Sequence, residues 1–290
     1  MNQPVLMVVL AIMVYTVALD LRVADFQYVA KRPLSVGIGL LAQFVLLPGA
    51  TWLLTMLLDL PAATEAAMIL VATCPGGALS NVLTALGRGN LAASLSISAV
   101  GGLMSLVLTP LNFTFLISAN PATAAWVRSI DVNPLALIGS LVLILAIPMT
   151  AAMLTSRHAP GFAVRARRPL ARFSAVALTA FIVVAVAQQW SLFLIELGRT
   201  LPVVIVHNGL GLLMGWLGSL AAGLPVPDRR AVVIEGGMQN SGLALGIIAA
   251  QFSSDLAMVA VAGLWGIWCI VTGGAVALIW RRRDVRRSPA

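Results

Sequence analysis

Residues 232–248 read VVIEGGMQNSGLALGII: a glutamate, two glycines and a Gln-Asn-Ser run, with hydrocarbon on both sides. In a water-soluble chain this would pass for a loop. The rest of the sequence places it inside a bilayer, where each of those groups is costly. The 290 residues are 60% hydrophobic and 10% charged, with a mean hydropathy of +1.00; a soluble domain carries about 25% charged residues. Apolar stretches of roughly 20 residues, the length a helix needs to cross a bilayer, follow one another from end to end. The composition therefore implies an all-α polytopic membrane protein. Nine spans are predicted, near 4–21, 34–58, 63–86, 90–117, 133–155, 170–195, 201–223, 229–251 and 255–280. The opening MNQPVLMVVLAIMVYTVALDL has neither a basic leader nor a small-residue cleavage site, so it reads as the first span.

The net charge of +8 is a topology signal, not a nucleic-acid footprint. With alternate loops assigned to the cytoplasm, beginning with the one that holds Arg22, that side carries 16 of the 18 Lys and Arg residues. Arg128 and Arg199 alone fall on the other side. This satisfies the positive-inside rule with the N-terminus outside and the C-terminus cytoplasmic, and some contact to anionic lipid follows. Cys74 and Cys269 both lie in apolar runs and read as small buried hydrophobes.

Two spans are interrupted. The third contains CPGGALSN at 74–81 and the eighth contains EGGMQNS at 235–241. Proline cannot donate to a helix ladder and a glycine pair weakens it, so both are expected to unwind. The clusters superpose at a constant offset of 160 residues, Gly76 falling on Gly236. Five spans separate the two, an odd number, so the copies cross in opposite directions. Paired broken helices in inverted repeats are the best sequence pointer to a transporter's binding site. Close helix packing, the commoner use of membrane glycines, accounts less well for two polar breaks in related positions.

Most acidic residues, Asp20, Asp25 and Asp131 among them, lie at or near predicted span ends; Glu235 lies deepest, beside a break. No Lys or Arg is predicted at its depth, so a cation or a proton is its natural partner. A hard cation wants about six oxygens. Ser80, Asn81 and Gln239 flank the breaks, Ser94 and Ser98 share one helix face, and Gln43 is a lone amide in LLAQFVLLPG. His207-Asn208 forms a further polar island, a proton relay or a hydrogen-bonding element of the bundle, and Trp265 reads as packing or an interface anchor. No hydrolase elbow, phosphate loop, zinc spacing or nucleotide fingerprint occurs.

CPGGALSNVLTALGRGN (74–90), EGGMQNSGLALG (235–246), AQF in the second span and HNGLG (207–211) resemble the bile acid:sodium symporter family, over nearly the whole chain. The resemblance implies a single transporter unit with two broken helices crossing in inverted repeats. A core domain, about 34–117 and 201–280, would pack against a panel domain, about 4–21 and 133–195. It also implies symport of a small organic anion, a carboxylate or sulfonate, with two Na+ ions. One ion would take Ser80, Asn81, Ser94, Ser98 and Glu235, and the other Gln43, Glu235, Gly236, Met238 and Gln239. Gly77, Ala78, Asn240, Ser241, Cys269 and His207 would line the substrate crevice. Ala78 stands where relatives often carry threonine, and Cys269-Ile270 where some carry His-Asn, so a bile-acid pose is not expected. An inner-membrane monomer without enzymatic activity is the expectation. A proton-coupled or uncoupled carrier of the same fold is the alternative, ahead of a membrane enzyme or a non-transporting sensor.

Overall fold

A computed structural model describes residues 3–19, 28–130, 134–188, 190–252 and 255–287. Asp20, Arg22, Asp25 and Asp131 lie outside the described residues. The described chain is helical apart from one isolated β-bridge. Its helices are α1 (Gln3–Ala18), α2 (Pro33–Leu58), α3 (Ala62–Thr73), α4 (Ala78–Leu86), α5 (Leu91–Ala119) and α6 (Pro121–Ser129). They continue as α7 (Pro134–His158), α8 (Pro160–Gln188), α9 (Trp190–Ala221), α10 (Val226–Gly237), α11 (Ser241–Gln251) and α12 (Leu256–Arg287). Among the described residues, five stretches are long and apolar enough to cross a membrane, in α2, α5, α7, α9 and α12. The chain is a multi-pass membrane protein.

Both predicted interruptions are present. The stretch expected as the third span is α3 and α4 with Cys74–Gly77 between them, and the stretch expected as the eighth is α10 and α11 with Met238–Asn240 between them. Elsewhere the boundaries differ from the sequence expectation. The segment expected at 170–195 is divided: most of it lies in α8, which starts at Pro160 and runs to Gln188, and its last residues belong to α9, which starts at Trp190. The early residues of α8 hold arginines that hydropathy reads as loop, although proline at a helix start costs no hydrogen bond. The short helix α6 falls in an expected loop and is capped by Asn120, whose Oδ1 accepts from Ala122 N and Thr123 N.

Helix α5 is the strut on which both broken helices hang. At its start, Asn90 Nδ2 donates to the buried Asp228 in the first turn of α10, at 2.7 Å, and Ser35 of α2 donates to the other carboxylate oxygen. Beyond its far end, Asn120 Nδ2 donates to the buried Glu65 in the first turn of α3, at 2.9 Å. Each half-helix thus enters the core through a carboxylate satisfied by neutral donors, which makes its burial tolerable. Glycine lets α9 and α10 touch backbone to backbone. A Cβ on Gly211 would stand 2.6 Å from Gly236 O, and one on Gly215 2.7 Å from Val232 O.

Candidate cation site at the crossing of the broken helices

The two breaks meet. Gly76 and Gln239 form an antiparallel bridge, and Asn240 N donates to Pro75 O at 3.0 Å. Unwound backbone inside a bundle is tolerated where it is buried and paired in this way. Proline at 75 ends α3: Cys74 N turns back to Val71 O, and the last carbonyl of the helix, Thr73 O, accepts from Thr109 Oγ1 of α5 at 2.6 Å.

Glu235 sits beside this crossing, fully buried in the last turns of α10. Its Oε1 accepts from three hydroxyls, Ser80 at 2.6 Å, Ser94 at 2.5 Å and Ser98 at 3.0 Å. Ser94 and Ser98 reach it from one face of α5, as their spacing of four requires. The cluster holds more acceptors than protons. Ser94 Oγ also lies 2.8 Å from Asn81 Oδ1, and Ser80 Oγ lies 2.7 Å from Gly77 O, yet each hydroxyl has one proton to give. Five predicted residues thus converge as an oxygen-rich, proton-poor pocket with a negative charge, which suits a hard cation.

A second oxygen cluster faces the other carboxylate oxygen. Gln43 Nε2 donates to Glu235 Oε2 at 3.1 Å and to Glu235 O at 3.2 Å. The point where a Cβ on Gly76 would stand is ringed by Glu235 Oε2 at 2.6 Å, Gln43 Nε2 at 2.9 Å and Met238 O at 3.3 Å. Only glycine leaves that space open. Gln43 Oε1 and Gln239 Oε1 are both buried and accept no hydrogen bond from the protein, while Gln239 Nε2 spends itself on Gly236 O at 3.3 Å. Orphaned buried acceptors are costly; Gln43 presents its amide nitrogen to Oε2 and its Oε1 to the side of Gly101, so turning that amide over would offer an orphaned oxygen to a cation beside the carboxylate. The residues present therefore fit a cation at each oxygen of Glu235.

The residues expected along the crevice divide. Gly77 begins α4 without a capping side chain, and a Cβ on it would stand 3.9 Å from Asn240 Cγ. Asn240 caps α11 through Leu243 N at 3.0 Å. Ser241 abuts Gly266 of α12, whose carbonyl accepts from Cys269 Sγ at 3.3 Å. The side chain of Ala78 lies outside the described ones. His207 stands apart: Trp265 Nε1 donates to its Nδ1 at 3.1 Å, and its Nε2 lies 3.0 Å from Thr51 Oγ1. An indole can only donate, so the ring is the Nε2-protonated tautomer and both nitrogens are spent on the scaffold. The hydrogen-bonding element is thus the reading the structure favours. Trp265 is fully buried, packing and not an interface anchor. The neighbour of His207, Asn208, does reach the crossing, donating to Gly237 O at 2.8 Å and accepting from Thr272 Oγ1 at 2.6 Å.

The sequence reading overlooked Thr109, Asn112, Asn90 and Asn120, the polar residues through which α5 holds the other helices. It also overlooked the π-helical turn Ala42–Leu46 that carries Gln43. A proline at 48, four residues after Phe44, is the signal that could have found it.

Comparison with known proteins gives concordant matches. The family described as the Sodium Bile acid symporter family matches residues 7–195. The uncharacterized sodium-dependent transporter YocS of Bacillus subtilis is 31% identical over 280 residues, 96% of this chain and 84% of its own. A chloroplastic protein of Oryza sativa designated a probable sodium/metabolite cotransporter, BASS2, is 30% identical over 95% of this chain and 64% of its own. The human ileal sodium/bile acid cotransporter is 26% identical over 87% of this chain and 70% of its own.

Proposed function

The chain belongs to the sodium bile acid symporter family, whose members are transporters, and from that membership we propose that it is a sodium-coupled symporter of a small organic anion. Two Na+ ions are its co-substrates. One sits among Ser80, Asn81, Ser94, Ser98 and Glu235 Oε1, the other among Gln43, Gly236 O, Met238 O, Gln239 and Glu235 Oε2. The single observation that carries this reading is Glu235, buried between two oxygen clusters whose donors are all neutral. The designations of these three relatives agree on sodium, and the plant and human ones name a metabolite or a bile acid as cargo.

In this mechanism the two cations neutralise Glu235 and hold the crossing in register. The anion, a carboxylate or sulfonate, docks by Gly77, Ala78, Asn240 and Ser241, with Cys269 behind them, where the half-helix N-termini lend positive dipole ends. Two broken helices of opposite sense, in a nine-span inverted repeat, form the core with α2, α5, α9 and α12. Helices α1, α7 and α8 form the panel, and movement of the core against it exposes the site to each side in turn. The protein works as a monomer in the inner membrane, with the N-terminus outside. Sodium raises anion affinity, and the anion raises sodium affinity by the same factor.

A thermal-shift screen of small carboxylates and sulfonates on the purified protein, in sodium and in choline at fixed pH, tests this. Stabilisation by an anion that requires sodium is the expected outcome. Equal stabilisation in choline identifies the proton-coupled or uncoupled carrier instead.

A further inference from the structure

Pro48 interrupts α2 a turn after Gln43. In a regular helix the N–H of residue 48 would bond Phe44 O; proline has no N–H, and its ring crowds that carbonyl. The helix responds with a π turn over Ala42–Leu46, in which Leu47 N reaches back to Ala42 O. Asn112 of α5 then takes the freed group, its Nδ2 donating to Phe44 O at 2.8 Å. Thr109 stands one turn before it on the same face of α5 and does the equivalent work at the first break, on Thr73 O. One strip of α5 therefore closes carbonyls at two interruptions of the ladder, and Pro75 and Pro48 lie beside them.

We propose that Asn112 is a positioning residue for the cation position at Gly76, acting through the π turn. Gln43 precedes Phe44 inside that turn and aims its amide at Glu235. A π turn holds one residue more than the α turn it replaces, so reversion to regular helix rotates one side of α2 against the other by about 100°. The amide of Gln43 would then leave the carboxylate. Asn112 keeps the turn by satisfying the carbonyl that regular helix cannot use, and it touches neither ion nor anion. Without Asn112 the Phe44 carbonyl is an orphan acceptor in either form, and the π turn loses the bond that sets it below regular helix.

The inference rests on the sodium-coupled reading, and a comparison of four proteins separates the two. The wild type, Asn112→Leu, Pro48→Ala and the double variant are purified full-length, and thermal unfolding is followed across sodium concentrations balanced with choline. Asn112→Leu should raise the sodium concentration for half-maximal stabilisation roughly ten-fold. In the Pro48→Ala background, where the introduced alanine supplies an N–H to Phe44 O, adding Asn112→Leu should change the midpoint less than about two-fold. A wild type indifferent to sodium removes the sodium reading and this inference with it. A responsive wild type with an unshifted Asn112→Leu midpoint overturns this inference alone, as does an equal shift in both backgrounds. Should the leucine variant fail to fold, Asn112→Ser, too short to reach the carbonyl, is read by the same outcomes.

Discussion

Replacing Glu235 with glutamine separates its charge from its shape. The carboxylate accepts from Ser80, Ser94 and Ser98 on one oxygen and from Gln43 on the other. Glutamine keeps one acceptor for the three hydroxyls and turns the other into a donor facing Gln43. The Gln43 amide can answer by rotating, which gives its buried and unpartnered Oε1 a donor in exchange for the long 3.2 Å bond to the backbone oxygen of residue 235. Packing is therefore preserved. The electrostatics are not: a unit charge about 4 Å from a cation, at an effective dielectric constant near ~20, is worth about 4 kcal/mol. Each ion held against Glu235 loses an attraction of that order, which is roughly a thousand-fold in affinity. Without sodium the sign reverses, since all the hydrogen-bond donors to this buried charge are neutral and glutamine relieves the cost of burying it. Thermal unfolding in choline should thus show a melting temperature equal to or above that of the wild type, and addition of sodium should shift it little. Counterflow of a bound anion in proteoliposomes should disappear in parallel. A Glu235→Gln protein that keeps the wild-type sodium shift would show that the charge of this carboxylate does not hold the ions.

Three further outcomes follow from the same geometry. Ser98→Thr retains the hydroxyl facing Oε1 and should keep sodium-dependent stabilisation, whereas Ser98→Ala should raise the sodium midpoint by about ten-fold, as expected for one lost hydrogen bond to a charged group; both are read by sodium titration of the melting temperature. Gly76→Ala places a methyl 2.6 Å from Glu235 Oε2 and 2.9 Å from Gln43 Nε2, so it should remove one sodium ion per chain in equilibrium binding while the Ser94 cluster keeps the other. Asn90→Ala leaves the buried Asp228 with Ser35 as its remaining donor and should cost about 1–3 kcal/mol of stability without altering the sodium midpoint, checked by denaturant unfolding in sodium and in choline.

Much of the site was legible because membrane burial makes polar residues conspicuous. Gln43 stands alone among hydrocarbon, Glu235 is a carboxylate deep in an apolar helix, and the Gly-Gly pairs with Pro75 announce where the backbone opens. That Ser94 and Ser98 reach one carboxylate follows from spacing: an offset of four gives one helix face. The supporting residues were harder to read. Asn112, Thr109, Asn90 and Asn120 sit near helix ends or among small polar residues, where a single amide or hydroxyl is ordinary. Their partners are backbone carbonyls and carboxylates on distant elements, and sequence periodicity carries no information about those. His207 left two readings open, and its partners decide between them. A buried histidine suggests proton chemistry, but the indole of Trp265, 58 residues later, already occupies its Nδ1. The start of α8 at Pro160 escaped because arginines lower hydropathy without opposing helix formation.

Equilibrium binding of radioactive sodium to the purified protein bears most directly on a carboxylate shared by two cations. The account predicts two saturable ions per chain in the wild type and none of comparable affinity in Glu235→Gln. It also predicts that one ion is lost when Ser94 and Ser98 are both alanine, and the other when Gln43 and Gln239 are. A wild type without saturable sodium binding, or a Glu235→Gln protein that binds both ions as tightly as before, would contradict it.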